Sequence, residues 1–520
     1  MKYLVSSIIA GCAALLALGS CSDDEYTKRY DDPSKTSTVT CEKLMTGLFK
    51  MADDYTSPRY YRLWTFDNGL IGRYAQTVGY TNSVGRYVAG DQYINDRWSN
   101  FYKVLVQYRI LEMTFEELPE VEKPDYTIFP ILARIHMYDH MQQIIDMWGD
   151  IPYTKAGYLG ITGDIQGSYP TYDDATTLYK NMMEDLKAIN TQLASYNLTS
   201  LERTYLTAQD YINKGELGLW RKYANSLLLR MAMRTADQGA LSAESRAIVN
   251  EILSNPSNYP LVETADDFIH TTYDEDGFNW KDNLRDGFET SYRGYASAMM
   301  IKTLKDDPRL EILYEKNKEG NYEGLDTHDD EGVQQPLLER PLAQGGSFYS
   351  PVDTATISRN TAYSGVIFLP SESAFLKAEA YQKGYASGNA KVAFQNGVRL
   401  AVNYCFDLNA KGTYRDPITR PTDTEIETLS EKIWNDSNDK LTAILTQKWV
   451  SFGFFAPIQA WCDVRRTAIP ELYFPKDPTT TVCPDIPNRL RYPSSERDNN
   501  PHYSDVKGED TYQKKLFWAK

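Results

Sequence analysis

Cysteine is scarce in this 520-residue chain: six in all, and two of them, Cys12 and Cys21, fall in the first twenty-one residues. The other four, Cys41, Cys405, Cys462 and Cys483, are far apart and form no C-x-x-C pair. That excludes a disulfide scaffold and the usual zinc ribbons, and predicts small buried apolar side chains. Histidine is scarcer still, at five. His136 and His140 stand at i, i+4, but Met137 follows the first where a zinc protease has Glu, and no third ligand is evident. Basic residues are in deficit, 55 Lys+Arg against 71 Asp+Glu, for a net charge of −16. A chain so acidic repels nucleic acid and anionic lipid. Beyond the first twenty residues there is no long apolar run, which excludes a protein with many membrane helices.

Catalytic signatures are also missing. There is no phosphate-binding G-x-x-x-x-G-K-[ST] loop and no G-x-G-x-x-G. A G-x-S-x-G elbow fails at Tyr349 in Gly345-Gly346-Ser347-Phe348-Tyr349. The acidic runs Asp274-Glu275-Asp276-Gly277 and His328-Asp329-Asp330-Glu331-Gly332 lack the ligand spacing of a calcium loop, so they read as solvated loops. No cofactor is expected, a nonstandard calcium site on these runs being the alternative left open. Carboxylates are plentiful but nothing marks two of them as a glycosidase pair. The balance favours binding over turnover.

What is abundant is the aromatic ring: 39 Tyr, 18 Phe and 9 Trp. Rings stack on the apolar faces of sugars, while neighbouring Asn, Asp and Arg bond the hydroxyls. Two loop-rich regions concentrate them. The first holds Trp64, Tyr74, Tyr80 and Tyr87; the second holds Phe278, Trp280, Tyr292, Tyr295, Phe348 and Tyr349, with Asn279, Asp282, Arg285 and Arg293 as polar partners. The candidate ligand residues are therefore Trp64, Tyr74, Tyr80, Tyr87, Asn279, Trp280, Asp282, Tyr292, Arg293 and Tyr295. For any one ring a place in the core is the competing reading, and for Trp98, at the start of a helix, the stronger one.

Residues 1–20 read as a secretory signal, with Lys2 ahead of an apolar run. Leu18-Gly19-Ser20-Cys21 has the pattern of a bacterial lipobox, in which the cysteine is acylated and becomes the mature N-terminus. Residues 21–40 are polar and aperiodic, a flexible acylated tether. From 41 to 520 the chain reads as one mostly helical domain. Apolar residues at helical spacing predict helices over 130–147, from Asp173-Asp174 onward, and over 219–233 and 242–253. Trp148-Gly149-Asp150-Ile151-Pro152-Tyr153 stops the first of these. Residues 371–405 predict a tetratricopeptide-like helix pair turning at Gly384 and Gly388. Residues 425–434 and 441–455 predict the last helices. The stretch 268–370 predicts loops with a strand near 362–369, and 475–504 predicts a wrapping tail.

Several segments in order resemble one family: the lipobox at Cys21, Trp148-Gly149-Asp150-Ile151-Pro152-Tyr153, the run from Leu219 to Arg234, Ala378-Glu379-Ala380, Gln447-Lys448-Trp449, Ala460-Trp461-Cys462-Asp463-Val464-Arg465-Arg466-Thr467, and Pro487-Asn488-Arg489-Leu490-Arg491-Tyr492-Pro493. Together they resemble the SusD/RagB family of nutrient-binding outer-membrane lipoproteins of Bacteroidetes, in its SusD-like subgroup. The resemblance implies a mostly α-helical fold with tetratricopeptide-like helix pairs and a loop-rich ligand face. It implies a lipid anchor in the outer membrane facing the cell exterior, and a SusC-like TonB-dependent transporter as partner. The cargo would be an oligosaccharide or, in some members, a peptide, held without catalysis; a surface glycoside hydrolase is the competing class. These motifs imply scaffold, with Arg221 and Arg465 holding helices rather than ligand.

Overall fold

The computed structural model describes residues 39–271, 281–290, 294–344 and 346–520. The signal segment, Cys21 and all of the tether but its last two residues lie outside them. The fold is mostly helical. Its principal helices are α1 (Cys41–Thr56), α2 (Asp91–Glu116), α3 (Ile128–Trp148), α4 (Ala175–Ala194), α5 (Leu217–Thr235), α6 (Lys281–Glu289), α7 (Pro370–Gln382), α8 (Ala390–Ala410), α9 (Lys440–Phe452) and α10 (Pro457–Thr467). Ser242–Ser254 and Asp423–Asp436 add two more. Strands β1 (Ile269–Thr271) and β2 (Gly365–Phe368) pair antiparallel, Ile269 opposite Phe368 and Thr271 opposite Gly365. No helix among the described residues is long and apolar enough to cross a membrane.

Local chemistry explains the boundaries. Asp174 caps α4 by accepting the Thr177 amide, satisfying one of the amides that a helix start leaves unpaired. Gly149 ends α3 at φ +83°, a conformation that side-chain-bearing residues avoid. The helix pair α7 and α8 packs through Phe375 against Phe394, with ring centroids 6.2 Å apart. A Cβ on Gly397 would stand 2.7 Å from the Phe375 ring, so that position has to be glycine for the two helices to close.

The core runs through α3 and α5, both buried on nearly every face. Trp148, Trp220, Trp449 and Trp461 are all fully buried. Each large apolar side chain withdrawn from water contributes about 1.5–3 kcal/mol. The tail from 475 wraps this core as the sequence predicts, apart from short helices at Ser494–Asn499 and Tyr503–Val506. Trp148 Nε1 donates to the Arg491 carbonyl at 2.9 Å and the Tyr492 hydroxyl to the Asp150 carbonyl at 2.6 Å. The four remaining cysteines are buried free thiols, as small apolar residues would be.

Charge is buried as well, and in pairs. On α5, Arg230 meets Glu372 at 2.6 Å and Asp139 at 3.1 Å. Arg466 of α10 meets Glu379 of α7 at 2.6 Å and Asp463 at 3.2 Å. Arg465 lies over the Trp461 ring at 3.5 Å. Arg465 thus braces the scaffold, and Arg221 does the same by donating to Asn190 at 2.8 Å.

His136 and His140 do share one face of α3, rings 4.9 Å apart, but among the described residues no group of three or more His, Cys, Asp or Glu side chains converges as a metal site. Burial pushes His136 down to about 4 and His140 well below its ordinary value, so both are neutral in the fold. The unfolded chain takes up these protons near pH 6.5 and the folded chain does not. Their contribution is therefore complete above pH 6.5 and is lost as the pH falls toward 4. The melting temperature should decline over that window in scanning calorimetry; a flat profile between pH 7 and 4 would contradict the buried, neutral pair.

Candidate ligand face

Residues Tyr61–Ile71 form a π-helix, an uncommon element that often marks functional sites. Gly69 permits it: a Cβ there would stand 2.6 Å from the Trp64 carbonyl oxygen. The wide turn buries Leu63, Phe66 and Leu70 and leaves the rings at its start outward. Tyr60 and Tyr61 are 46% and 42% exposed, uncommon for rings this large, and Trp64 is half-buried. Tyr60 and Trp64 stack at 6.2 Å and 14°, and Tyr61 meets Tyr60 edge-on at 5.7 Å.

Helix α6 packs directly on this π-helix. Asn68 Nδ2 donates to the Gly287 carbonyl at 3.2 Å, and a Cβ on Gly287 would touch Leu63. The helix buries Leu284 and Phe288 and turns Asp282 and Arg285 to solvent, where they pair at 3.6 Å. Beyond it lies a cavity of about 370 Å³ lined by Lys281, Asp282, Arg285, Arg359, Thr413 and Tyr414. Tyr414 is 55% exposed, with the Arg359 guanidinium 4.9 Å over its ring. Arg359 in turn meets Glu289 at 2.7 Å. Burial works against the Glu289 charge, but Arg359 and Ser358 outweigh it and hold the carboxyl below its usual range. The π-helix thus carries rings suited to stacking and the cavity at α6 carries charged groups suited to hydroxyls, the two elements being packed together through Asn68, Leu63 and Gly287.

The sequence expectations divide here. Trp64 and Asp282 reach the surface, the first half-buried on the π-helix and the second exposed on α6. Tyr74, Tyr80 and Tyr87 do not: they are 1%, 2% and 1% exposed, and this corrects their assignment as ligand rings. The reason is the tail. The Tyr74 hydroxyl donates to the Tyr87 carbonyl at 2.7 Å, and the Tyr87 hydroxyl to the Pro475 carbonyl at 2.7 Å, so these rings clamp the returning chain. Tyr295 is half-buried against a small cluster of Leu325, Leu338 and Tyr349. Trp98 is 3% exposed, a core residue. Asn279, Trp280, Tyr292 and Arg293 lie outside the described residues, as do Phe278 and the acidic run 274–277. Sequence reasoning missed Tyr60, Tyr61, Arg359 and Tyr414. The Tyr60-Tyr61 doublet after Pro58 was the one available signal; nothing in the sequence joins Tyr414 to it.

Paired helices packed in tetratricopeptide-like fashion, with exposed rings on a π-helix and a charge-lined cavity at α6, define the structural class. The chain belongs to the SusD-like family: residues 33–493 match the family model described as "Starch-binding associating with outer membrane". No curated protein matches it. Solved structures do. One titled a chitin-binding protein superposes with a TM-score of 0.72 at 21% identity, covering 91% of this chain and 99% of that one. A chitin-binding SusD homolog from Flavobacterium johnsoniae gives 0.65 at 18% identity, over 91% and 98%. A SusD-like protein from Bacteroides thetaiotaomicron gives 0.63 at 20% identity, over 92% and 99%. At such identities the likeness is one of fold.

Proposed function

We propose that this protein is a cell-surface lipoprotein that binds an oligosaccharide without cleaving it and passes it to a SusC-like TonB-dependent transporter in the outer membrane. The observation that carries the reading is the group of outward rings Tyr60, Tyr61 and Trp64 on the π-helix against which α6 packs, with a cavity lined by Asp282, Arg285 and Tyr414 at that helix. Family membership supports it, as do neighbours of the same fold whose titles name chitin. Residues 1–20 would be the signal, 21–40 the acylated tether and 41–520 the binding domain.

Calorimetric titration with malto- and chito-oligosaccharides, and with peptides of similar length, tests the cargo. Saturable binding of an oligosaccharide with no release of reducing sugar is expected. Binding of peptides alone, or steady sugar release, would refute the reading. Cys21→Ala should move the protein from the membrane fraction to the soluble one, because acyl chains contribute about 0.8 kcal/mol per buried CH₂. Retention of the variant in the membrane would remove the anchor.

A further inference from the structure

The outward rings stand on a π-helix, and a π-helix has to be held against the tighter turn of an ordinary α-helix. One side-chain contact in the segment favours the wide turn. Arg62 Nε donates to Asp67 Oδ2 at 2.9 Å, and the two residues are five apart. A π-helix is bonded between residues five apart and so sets them one above the other. The Gly72 amide, which donates to the Asp67 carbonyl, follows the same repeat. In an α-helix the neighbours are three and four apart, and residues five apart point about 140° away from each other. The Arg62–Asp67 contact therefore belongs to the π-helix and not to its α-helical alternative.

Both groups are withdrawn from water, the Asp67 side chain at 2% exposure and that of Arg62 at 13%. Burial raises the Asp67 carboxyl, and Arg62 is the largest influence opposing that rise. The other nitrogens of the guanidinium reach three separate elements. Nη2 donates to the Phe455 carbonyl at 3.0 Å. Nη1 donates to the Thr56 carbonyl and, at 3.4 Å, to the Val366 carbonyl. Thr56 ends α1, Val366 lies in β2, and Phe455 lies between α9 and α10. A planar fork with five donors can serve all of these acceptors, which a lysine cannot. Arg62 thus fixes where the π-helix sits and, with Asp67, how it winds.

We propose that Arg62 and Asp67 are the positioning pair of the ligand face: their contact holds residues 61–71 in the π register, and that register sets the stack of Trp64 on Tyr60 and the place of Tyr61 beside it. The inference rests on the reading of these rings as the ligand face. Neither Arg62 nor Asp67 touches the ligand; both act through the rings. An α-helix adds more rotation per residue than the wider turn does. Rewinding the segment would therefore swing Trp64 round the axis relative to Tyr60 and change the surface that the two rings present.

The test uses the full chain and two complementary variants. Asp67→Ala removes the contact and leaves Arg62 its carbonyl bonds; Arg62→Lys keeps a cation for Asp67 and loses the fork. In the ligand-free protein, Asp67→Ala should change the hydroxyl-radical reactivity of Tyr60, Tyr61 and Trp64 at least twofold while Tyr414 stays at the parent value. It should also weaken, at least fivefold, the binding of whichever of maltohexaose and chitohexaose the parent takes. Arg62→Lys should lower the melting temperature yet keep ring reactivity and affinity within twofold of the parent, a split that a merely structural role would not give. If Asp67→Ala does not fold, Asp67→Asn, which keeps the shape, is measured in its place with the same expectations. The inference is overturned if removing the Asp67 carboxylate leaves the rings as reactive as before, if that variant binds like the parent, or if Arg62→Lys loses affinity in step with it. Trp64→Ala separates this failure from that of the ligand face. Unchanged hexaose binding in Trp64→Ala removes the face itself, whereas loss there with none in Asp67→Ala removes only the positioning pair.

Discussion

Glu379→Ala should lower the stability of the fold by about 3–5 kcal/mol, the usual result of removing one partner from a buried charge network. Glu379 is fully buried in α7. It accepts from Arg466 Nη1 at 2.6 Å and Nη2 at 2.9 Å, and from Lys383 at 2.7 Å. Lys448 stands 4.0 Å away and bonds Asp463 at 2.9 Å, while Asp237 accepts from both Arg466 and Lys383. Without this carboxylate, Arg466 and Lys448 would remain buried and undercompensated. Burial alone would push the Glu379 carboxyl up, but Arg466, Lys383 and Lys448 hold it far below the carboxylate range. Its stabilisation is thus present above the unfolded value near pH 4.3 and is lost as the pH falls below that. Glu379→Gln keeps the shape and one acceptor, and should cost less than alanine. Denaturant midpoints read both. A loss under about 1 kcal/mol for the alanine variant would mean that the network is not what ties α7 to α10.

Trp64→Ala should weaken oligosaccharide binding by about 1–3 kcal/mol, roughly 5- to 150-fold, as truncation of an aromatic anchor does. The ring is half-buried and backed by Tyr60, so it is held in place while keeping area for a sugar face. Tyr61→Ala should weaken binding less, because Tyr61 meets its neighbour only by an edge. Neither change empties the core, so melting temperatures should stay close to the parent. Trp98→Ala is the contrasting case. Trp98 packs edge-on against Trp148 at 5.4 Å and Tyr492 at 5.6 Å, so its loss should lower the melting temperature instead. If Trp64→Ala destabilises the protein and leaves affinity intact, the ring is structural.

Sequence periodicity proved a good guide wherever burial repeats along a helix. The apolar stripe from Leu219 to Met233 became α5, and Asp174 and Gly384 set their boundaries through capping and a left-handed turn. The pairing of α7 with α8 was readable too, from the turn at Gly384 and Gly388; the Phe375–Phe394 contact and the close approach at Gly397 came from the structure. The family motifs turned out to be scaffold, as with Arg465 on Trp461. The site was far less readable. A ring is exposed or buried according to what the rest of the chain lays over it, and no local pattern carries that information. Tyr87 is buried because Pro475, nearly four hundred residues later, accepts its hydroxyl. Tyr60 and Tyr61 are exposed because a π-helix, which the 3.6-residue period does not describe, turns its apolar side inward. In the stretch 268–370, read as loops, α6 formed on the strength of Leu284 and Phe288, two apolar residues packed against distant partners.

Hydroxyl-radical footprinting of the protein with and without a bound oligosaccharide tests the ligand face most directly. Protection should appear at Tyr60, Tyr61, Trp64 and Tyr414, and not at Tyr169 or Tyr473, which are 45% and 49% exposed elsewhere on the surface. The sugar should be recovered at its original length. Full occupancy with those four rings as reactive as before, or a shortened sugar, would contradict the account.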